Sequence, residues 1–156
     1  MSSPLAHYRR AQRLARREFD AFTRVHCPTC PHPCCVKPAR ITPLDLVLAA
    51  EAGWRPPEHV VSRADWAKAA SAAHYLGEQV SEEATEPCDF LGPRGCTFPD
   101  DLRPCGCTLF LCDIMRERLD RKRLGRLKRA VNEVRQAHEA LVAHLARSGA
   151  SPSGEA

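Results

Sequence analysis

Nine cysteines among 156 residues are the feature of this sequence that most needs a chemical explanation. Four of them lie in one proline-rich segment, which reads Cys-Pro-Thr-Cys-Pro-His-Pro-Cys-Cys over residues 27–35. A Cys-x2-Cys turn such as Cys27–Cys30 directs two thiolates to one side of the chain and is a common metal-binding element. Adjacent side chains generally diverge, so we expect the sulfurs of Cys34 and Cys35 to serve different ions or different corners of a cluster.

The other five cysteines lie in a second segment with several prolines and glycines. They are Cys88, Cys96, Cys105, Cys107 and Cys112. Reduced cysteines can act as small apolar side chains, but these residues do not follow the apolar stripe of a helix. Thiolates select zinc, copper(I) or iron–sulfur clusters over magnesium or calcium. We therefore expect the two segments to bind metal.

The compartment implied by the sequence supports the same interpretation. The first residues are polar and arginine-rich and lack the apolar stretch of a secretory signal, which predicts a cytoplasmic protein. Disulfides are rare in the reducing cytosol, and an odd number of cysteines cannot be fully paired. No apolar run is long enough to span a membrane, so no membrane partner is expected.

The order of the cysteines resembles that of the YkgJ-like cysteine-cluster family, whose members are described as zinc- or iron-chelating proteins. The shared pattern is Cys-x2-Cys, Cys-Cys, a later Cys, a Gly-Cys step, and an Arg-Pro segment that ends in two cysteines. The resemblance covers residues 27–112 and includes Gly95 and the pair Arg103-Pro104, whereas Cys105 is additional. It implies that the metal ligands are Cys27, Cys30, Cys34, Cys35, Cys88, Cys96, Cys107 and Cys112.

The type of metal remains open at the level of sequence. Eight thiolates allow two four-thiolate zinc sites, or one [4Fe–4S] cluster with four cysteines to spare, because a tetrahedron of sulfurs suits both metals. His26 and His32 lie next to predicted ligands and are alternative ligands, although a solvent-facing histidine is the simpler interpretation. We interpret Cys105 as a spare, semi-buried cysteine rather than a reactive thiol.

Helical patterns surround the two segments and predict a mainly α fold, a small helical scaffold with two Cys-rich, Pro/Gly-rich metal-binding loops. Flanking helices are expected at residues 5–25 and 113–147, the latter as one helix or as two broken near Gly125, with further helices from Thr42 to Gly53 and over 62–79. Within residues 81–112 we expect turns and one short strand pair. The last helix carries a heptad stripe of Leu124, Leu127, Val131, Val134, His138, Leu141 and Leu145.

These elements predict one metal-binding domain over residues 1–147, followed by a disordered tail at 148–156. The function that we expect is that of a cytoplasmic cysteine-cluster protein, iron–sulfur or zinc, with a redox or accessory role. The alternative is a zinc-stabilised interaction module whose basic helices contact RNA or a protein partner. Residues 116–129 carry eight Lys or Arg and only two acids, but a solvated helix face is the simpler interpretation. Whether the chain is an enzyme stays open.

Overall fold

A computed structural model describes residues 3–30, 41–55, 90–92 and 95–148. Within these residues the chain is mainly helical, as the sequence predicts. The helices are α1 (Pro4–His26), α2 (Pro43–Glu51), α3 (Cys105–Leu109), α4 (Asp113–Arg118) and α5 (Arg121–Ser148). The expected strand pair is present as β1 (Leu91–Gly92) and β2 (Gly95–Cys96), which are antiparallel. The helix predicted at 62–79, and the predicted tail beyond Ser148, lie outside the described residues.

Helix α1 forms where its apolar spacing predicts. Ser3 caps the helix by accepting a hydrogen bond from the Ala6 amide at 3.2 Å, and Pro4 occupies the first helical position. The buried side chains recur at three- and four-residue steps and give the helix one continuous core face. They are Tyr8, Ala11, Gln12, Ala15, Phe19 and Phe22.

Helix α2 has both of the end signals that the sequence contains. The Thr42 hydroxyl accepts from the Asp45 amide, and the Asp45 carboxylate accepts from the Thr42 amide, which completes a capping box. At the other end Gly53 has a φ of 87°, and its amide donates to the Ala50 carbonyl. The Trp54 amide donates to Ala49, so the helix ends in the two bonds of a Schellman motif.

The long C-terminal helical region is broken, but not at the predicted residue. Helix α4 ends at Arg118 and α5 begins at Arg121, while Gly125 lies inside α5. The break falls at residues 119–120 because Asp120 caps the new helix: its carboxylate accepts from the Arg123 amide at 2.8 Å. A single glycine lowers helix propensity without having to end the helix.

The heptad stripe of α5 packs within the chain against α1. Leu127, Val134 and Leu141 are at most 2% exposed and join the α1 side chains in the main core. The two helices are antiparallel, since Arg126 contacts Glu18 and Glu133 contacts His7. This answers a question that the heptad pattern alone leaves open, whether the stripe is buried within one chain or between two.

A second, smaller core lies beside α2. Trp54 stacks on Phe98 with ring centroids 4.4 Å apart, and Phe90 meets Phe98 edge-on at 5.1 Å. The segment between β2 and α3 is tied back to α1 by Asp101, which receives hydrogen bonds from Arg9 at 2.9 Å and Arg13 at 2.8 Å. The small core and this double ion pair together position the second cysteine segment. In the part of the chain that the structure describes, no helix is long and apolar enough to cross a membrane.

Candidate metal centre and the polar core behind it

The first two predicted ligands lie directly after α1. A single 3-10 turn, Cys27–Thr29, follows the helix, and the Cys30 amide donates to the Cys27 carbonyl at 3.2 Å. Cys27 is exposed and Cys30 is partly exposed. The prolines end the helix here because they cannot supply the next amide donors. Cys34, Cys35 and His32, which complete this segment, lie outside the described residues.

His26, the alternative ligand at the end of α1, makes other contacts. Its ring packs on Phe22 with centroids 4.3 Å apart, and its Nδ1 lies 3.4 Å from Nη1 of Arg118. Because Arg118 ends α4, this contact brings α4 to the end of α1 that carries Cys27 and Cys30. Cys112 is the N-cap residue of α4, and at 1.5 Å per residue it lies about 9 Å from Arg118 along the helix axis.

The second segment distributes its cysteines over three elements. Cys96 ends β2 and borders the small aromatic core. Cys107 lies on α3, so the sequence-based interpretation of residues 81–112 as turns without helix is wrong at this point. This helical turn starts after Pro104, whose carbonyl accepts hydrogen bonds from the amides of Cys107 and Thr108. Cys112 occupies the N-cap of α4, and its side chain makes no capping hydrogen bond.

Five of the eight predicted ligands are therefore described, and three are not, because Cys88 also lies outside the described residues. Among the residues with described positions, no three His, Cys, Asp or Glu side chains come together as a group that could hold a metal ion. The eight-cysteine set remains a prediction. What the structure does provide is the exposure of each described thiol. Cys27 is exposed, and Cys30, Cys96, Cys107 and Cys112 are partly exposed.

Cys105, which is not among the eight predicted ligands, has the opposite environment. It is only 6% exposed and belongs to the main core. Burial, followed by the charge of Asp45, raises the pKa of the Cys105 thiol to about 12, although the Tyr8 hydroxyl hydrogen-bonds with it and acts in the opposite direction. A thiol with so high a pKa carries almost no thiolate at neutral pH and is a poor nucleophile and metal ligand. This agrees with its interpretation as a spare, semi-buried cysteine.

A buried polar network holds Cys105 and α3 in place. The Cys105 amide donates to Asp45 Oδ1 at 3.0 Å. Gln12 on α1 uses its whole amide group: Nε2 donates to the Tyr8 hydroxyl at 2.7 Å and to the Arg103 carbonyl at 2.9 Å, and Oε1 accepts from Thr108 at 2.9 Å. The Arg103-Pro104 pair thus anchors α3 to α1. The Arg103 carbonyl accepts a hydrogen bond from Gln12 of α1, and Pro104 is buried.

His138 completes this polar core from the α5 side. Its ring lies 5.5 Å from that of Tyr8. Its Nε2 is buried and has no hydrogen-bond partner among the residues described. Burial lowers the pKa of His138, while the charges of Asp45 and Glu139 act in the opposite direction. Burial of the ring thus favours the neutral imidazole over the charged form.

Sequence reasoning missed this polar core because its members look ordinary in isolation. Gln12 lies inside the apolar stripe of α1, four residues after Tyr8 and three before Ala15, which was the one available signal. Asp45 is recognisable from sequence only as a first-turn acid. Their pairing with Cys105 and Thr108 joins residues 60 and 96 positions apart, which no local pattern encodes.

Comparison with known proteins adds no constraint to this site. No family model, no curated protein and no solved structure matches the chain.

Proposed function

We propose that the chain is a cysteine-cluster protein that binds zinc or iron through thiolates, with a redox or accessory role. The proposed ligands are the eight cysteines named above, and the proposed cofactor is either zinc or iron, with a [4Fe–4S] cluster as one form of the latter. Membership of the YkgJ-like family is part of the same proposal and rests on the order of the cysteines and on Arg103-Pro104.

One observation supports this proposal: the five described candidate ligands keep solvent exposure, whereas Cys105 is buried. Cysteine is among the residue types most often fully buried, so thiols retained only for packing would lie in the core, as Cys105 does. Each of the five described candidates keeps solvent exposure instead. Exposed thiols are more susceptible to oxidation than buried ones, and coordination of a metal would give these cysteines a role that packing does not supply.

The donor set fits soft, thiophilic metals. A bound metal would make the ligands thiolates and would couple metal affinity to folding, because its ligands come from segments far apart in sequence. Zinc would supply a structural link between the end of α1 and the second cysteine segment. The polar core on Gln12 and Asp45 would hold the second segment in register with α1 whichever metal is bound.

The test is a metal count on protein purified without oxygen. We expect zinc, or iron with a matching amount of acid-labile sulfide, in stoichiometric amounts per chain. Brown colour and visible absorption would identify an iron–sulfur cluster, and a colourless protein with zinc would identify a structural site. Chelation should lower the melting temperature, since metal binding contributes to the stability of the fold. Protein without metal, and with an unchanged melting temperature after chelation, would contradict the proposal.

A further inference from the structure

Four cations surround one glycine on the solvent-facing side of α5. Gly125 is the centre, and the residues three and four positions before and after it are all basic. Residues at these spacings are neighbours on a helix surface. The four are Arg121, Lys122, Lys128 and Arg129, and each is exposed. They lie on the side of α5 opposite the buried stripe that packs against α1. We call this surface, the four cations with Gly125 at its centre, the cationic cradle.

Nothing in the described structure neutralises this cradle. Four of the six arginines of α1 are different, since Asp101 pairs with Arg9 and Arg13, and Asp20 pairs with Arg16 and Arg24. Glu18 of α1 pairs with Arg126 of α5, and Glu133 of α5 pairs with His7 of α1. Asp120 is occupied as the cap of α5, where it accepts from the Arg123 amide. Among the described residues, no carboxylate pairs with the four cations of the cradle.

The local sequence opposes helix stability at this place, and packing does not explain it. The first turn of α5 contains no acid and three cations, although the start of a helix carries partial positive charge. Glycine is disfavoured inside a helix, and a Cβ at Gly125 would meet only Nη1 of Arg129, at an ordinary 3.6 Å. Residues that lower local helix stability without improving the packing are typical of functional sites.

We propose that the α5 cradle around Gly125 binds the phosphodiester backbone of a nucleic acid duplex. Lysine and arginine side chains that neutralise phosphates provide most of the sequence-independent affinity for nucleic acids. The two cations before Gly125 and the two after it are seven residues, or about 10 Å, apart along the helix. More than one phosphate is therefore within their reach. The missing side chain at Gly125 lets the strand approach the helix backbone closely.

The chemistry of the face favours a duplex over other polyanions. A surface helix that binds membranes has an exposed apolar face, whereas the apolar face of α5 is buried against α1. Protein interfaces depend on aromatic and apolar anchors, and the exposed large apolar side chains of the described residues, Leu14, Val25 and Phe110, all lie outside α5. Single strands are bound by stacking on aromatic rings, and α5 contains no aromatic residue other than histidine.

The first test compares two matched double variants of the whole chain as purified. Arg121→Gln with Lys128→Gln removes two cations that are seven residues apart in the cradle. Arg10→Gln with Arg17→Gln removes two exposed cations at the same spacing, on the side of α1 opposite its core face. Binding to a short fluorescent RNA duplex and a DNA duplex is measured across a salt series, with anionic phospholipid vesicles and polyglutamate as comparison ligands.

We expect the cradle variant to lose about tenfold in duplex affinity, and its salt slope to fall by about two. The α1 variant should bind like the parent protein. Absence of duplex binding at low salt, equal losses in both variants, or tighter binding to vesicles or polyglutamate would overturn the proposal.

A second variant tests the cradle itself without removing any cation. Gly125→Glu places a carboxylate within reach of all four basic side chains, where it acts as an internal substitute for the phosphate. We expect a higher melting temperature together with at least the tenfold loss of duplex affinity seen in the double variant. A folded Gly125→Glu protein that binds duplex as the parent does would show that the cradle is not the site.

Discussion

Asp45 on α2 accepts a hydrogen bond from the backbone amide of Cys105, with 3.0 Å between Oδ1 and the nitrogen. The second carboxylate oxygen accepts from both the amide and the hydroxyl of Thr42 at 2.8 Å. One buried side chain therefore caps its own helix and fixes the first residue of α3. The segment that it fixes carries Cys107 and leads to Cys112, so the position of two predicted ligands depends on a residue 60 positions before α3.

Loss of this link should destabilise the protein. We expect Asp45→Ala to lower the free energy of unfolding by roughly 2–4 kcal/mol, because a helix cap is lost and the buried Cys105 amide is left without its hydrogen-bond acceptor. Urea unfolding measures the change. Glu51→Ala, at the exposed end of the same helix, is the matched control and should change stability by less than about 0.5 kcal/mol. Equal effects of the two substitutions would show that the Asp45 link contributes nothing.

Cys105 should be chemically inert in the folded protein. Its raised pKa, caused first by burial and then by the charge of Asp45, leaves almost no thiolate at neutral pH. Iodoacetamide should therefore modify Cys105 only after unfolding in urea, as peptide mass spectrometry can show. Modification in native buffer at the rate found in urea would place this thiol at the surface and remove the distinction between it and the other cysteines.

Much of the fold could be predicted from local signals. Ser3, Thr42 and Gly53 mark helix ends by their own chemistry, and the apolar steps of α1 and α5 are visible over many turns. The sequence contains two signals for a break in this region, the capping residue Asp120 and the helix-weakening Gly125. The prediction followed Gly125, whereas the structure breaks at the Asp120 cap.

The candidate site was predictable to a smaller extent. Cysteine order predicts the candidate ligands, and this assignment stays a prediction, whereas the burial expected for Cys105 agrees with its position in the main core. The network that positions α3 was not predictable, because Gln12 and His138 gain their roles only when α1, α3 and α5 pack together. Long-range pairing of polar groups leaves no periodic trace in a single sequence.

Acidification should weaken the core through His138. Its pKa is lowered by burial, so the unfolded chain binds a proton more readily than the folded protein. The stability associated with neutral His138 is thus complete above its ordinary pKa of about 6.5 and is lost as the pH falls through the lowered value. Urea titrations between neutral and mildly acidic pH should show this loss, and His138→Phe should reduce it. A pH profile that His138→Phe leaves intact would contradict this account.

The packing of α5 on α1 should dominate the stability of the scaffold. Leu127 is 1% exposed in the main core, whereas Leu14 on α1 is 47% exposed. We expect Leu127→Ala to cost about 2–5 kcal/mol, since it removes buried apolar atoms and leaves a cavity, and Leu14→Ala to cost less than about 1 kcal/mol. Chemical denaturation provides both values. A small effect at Leu127 would mean that α5 is held by other contacts.

The central claim is that the surface cysteines bind metal and the core cysteine does not. The most direct measurement is metal content per chain for three variants purified without oxygen: Cys30→Ala, Cys112→Ala and Cys105→Ala. We predict that Cys30→Ala and Cys112→Ala lose metal, while Cys105→Ala, checked for folding by circular dichroism, retains the content of the parent protein. Full metal content in the two surface variants, or loss of metal in a folded Cys105→Ala protein, would contradict the claim.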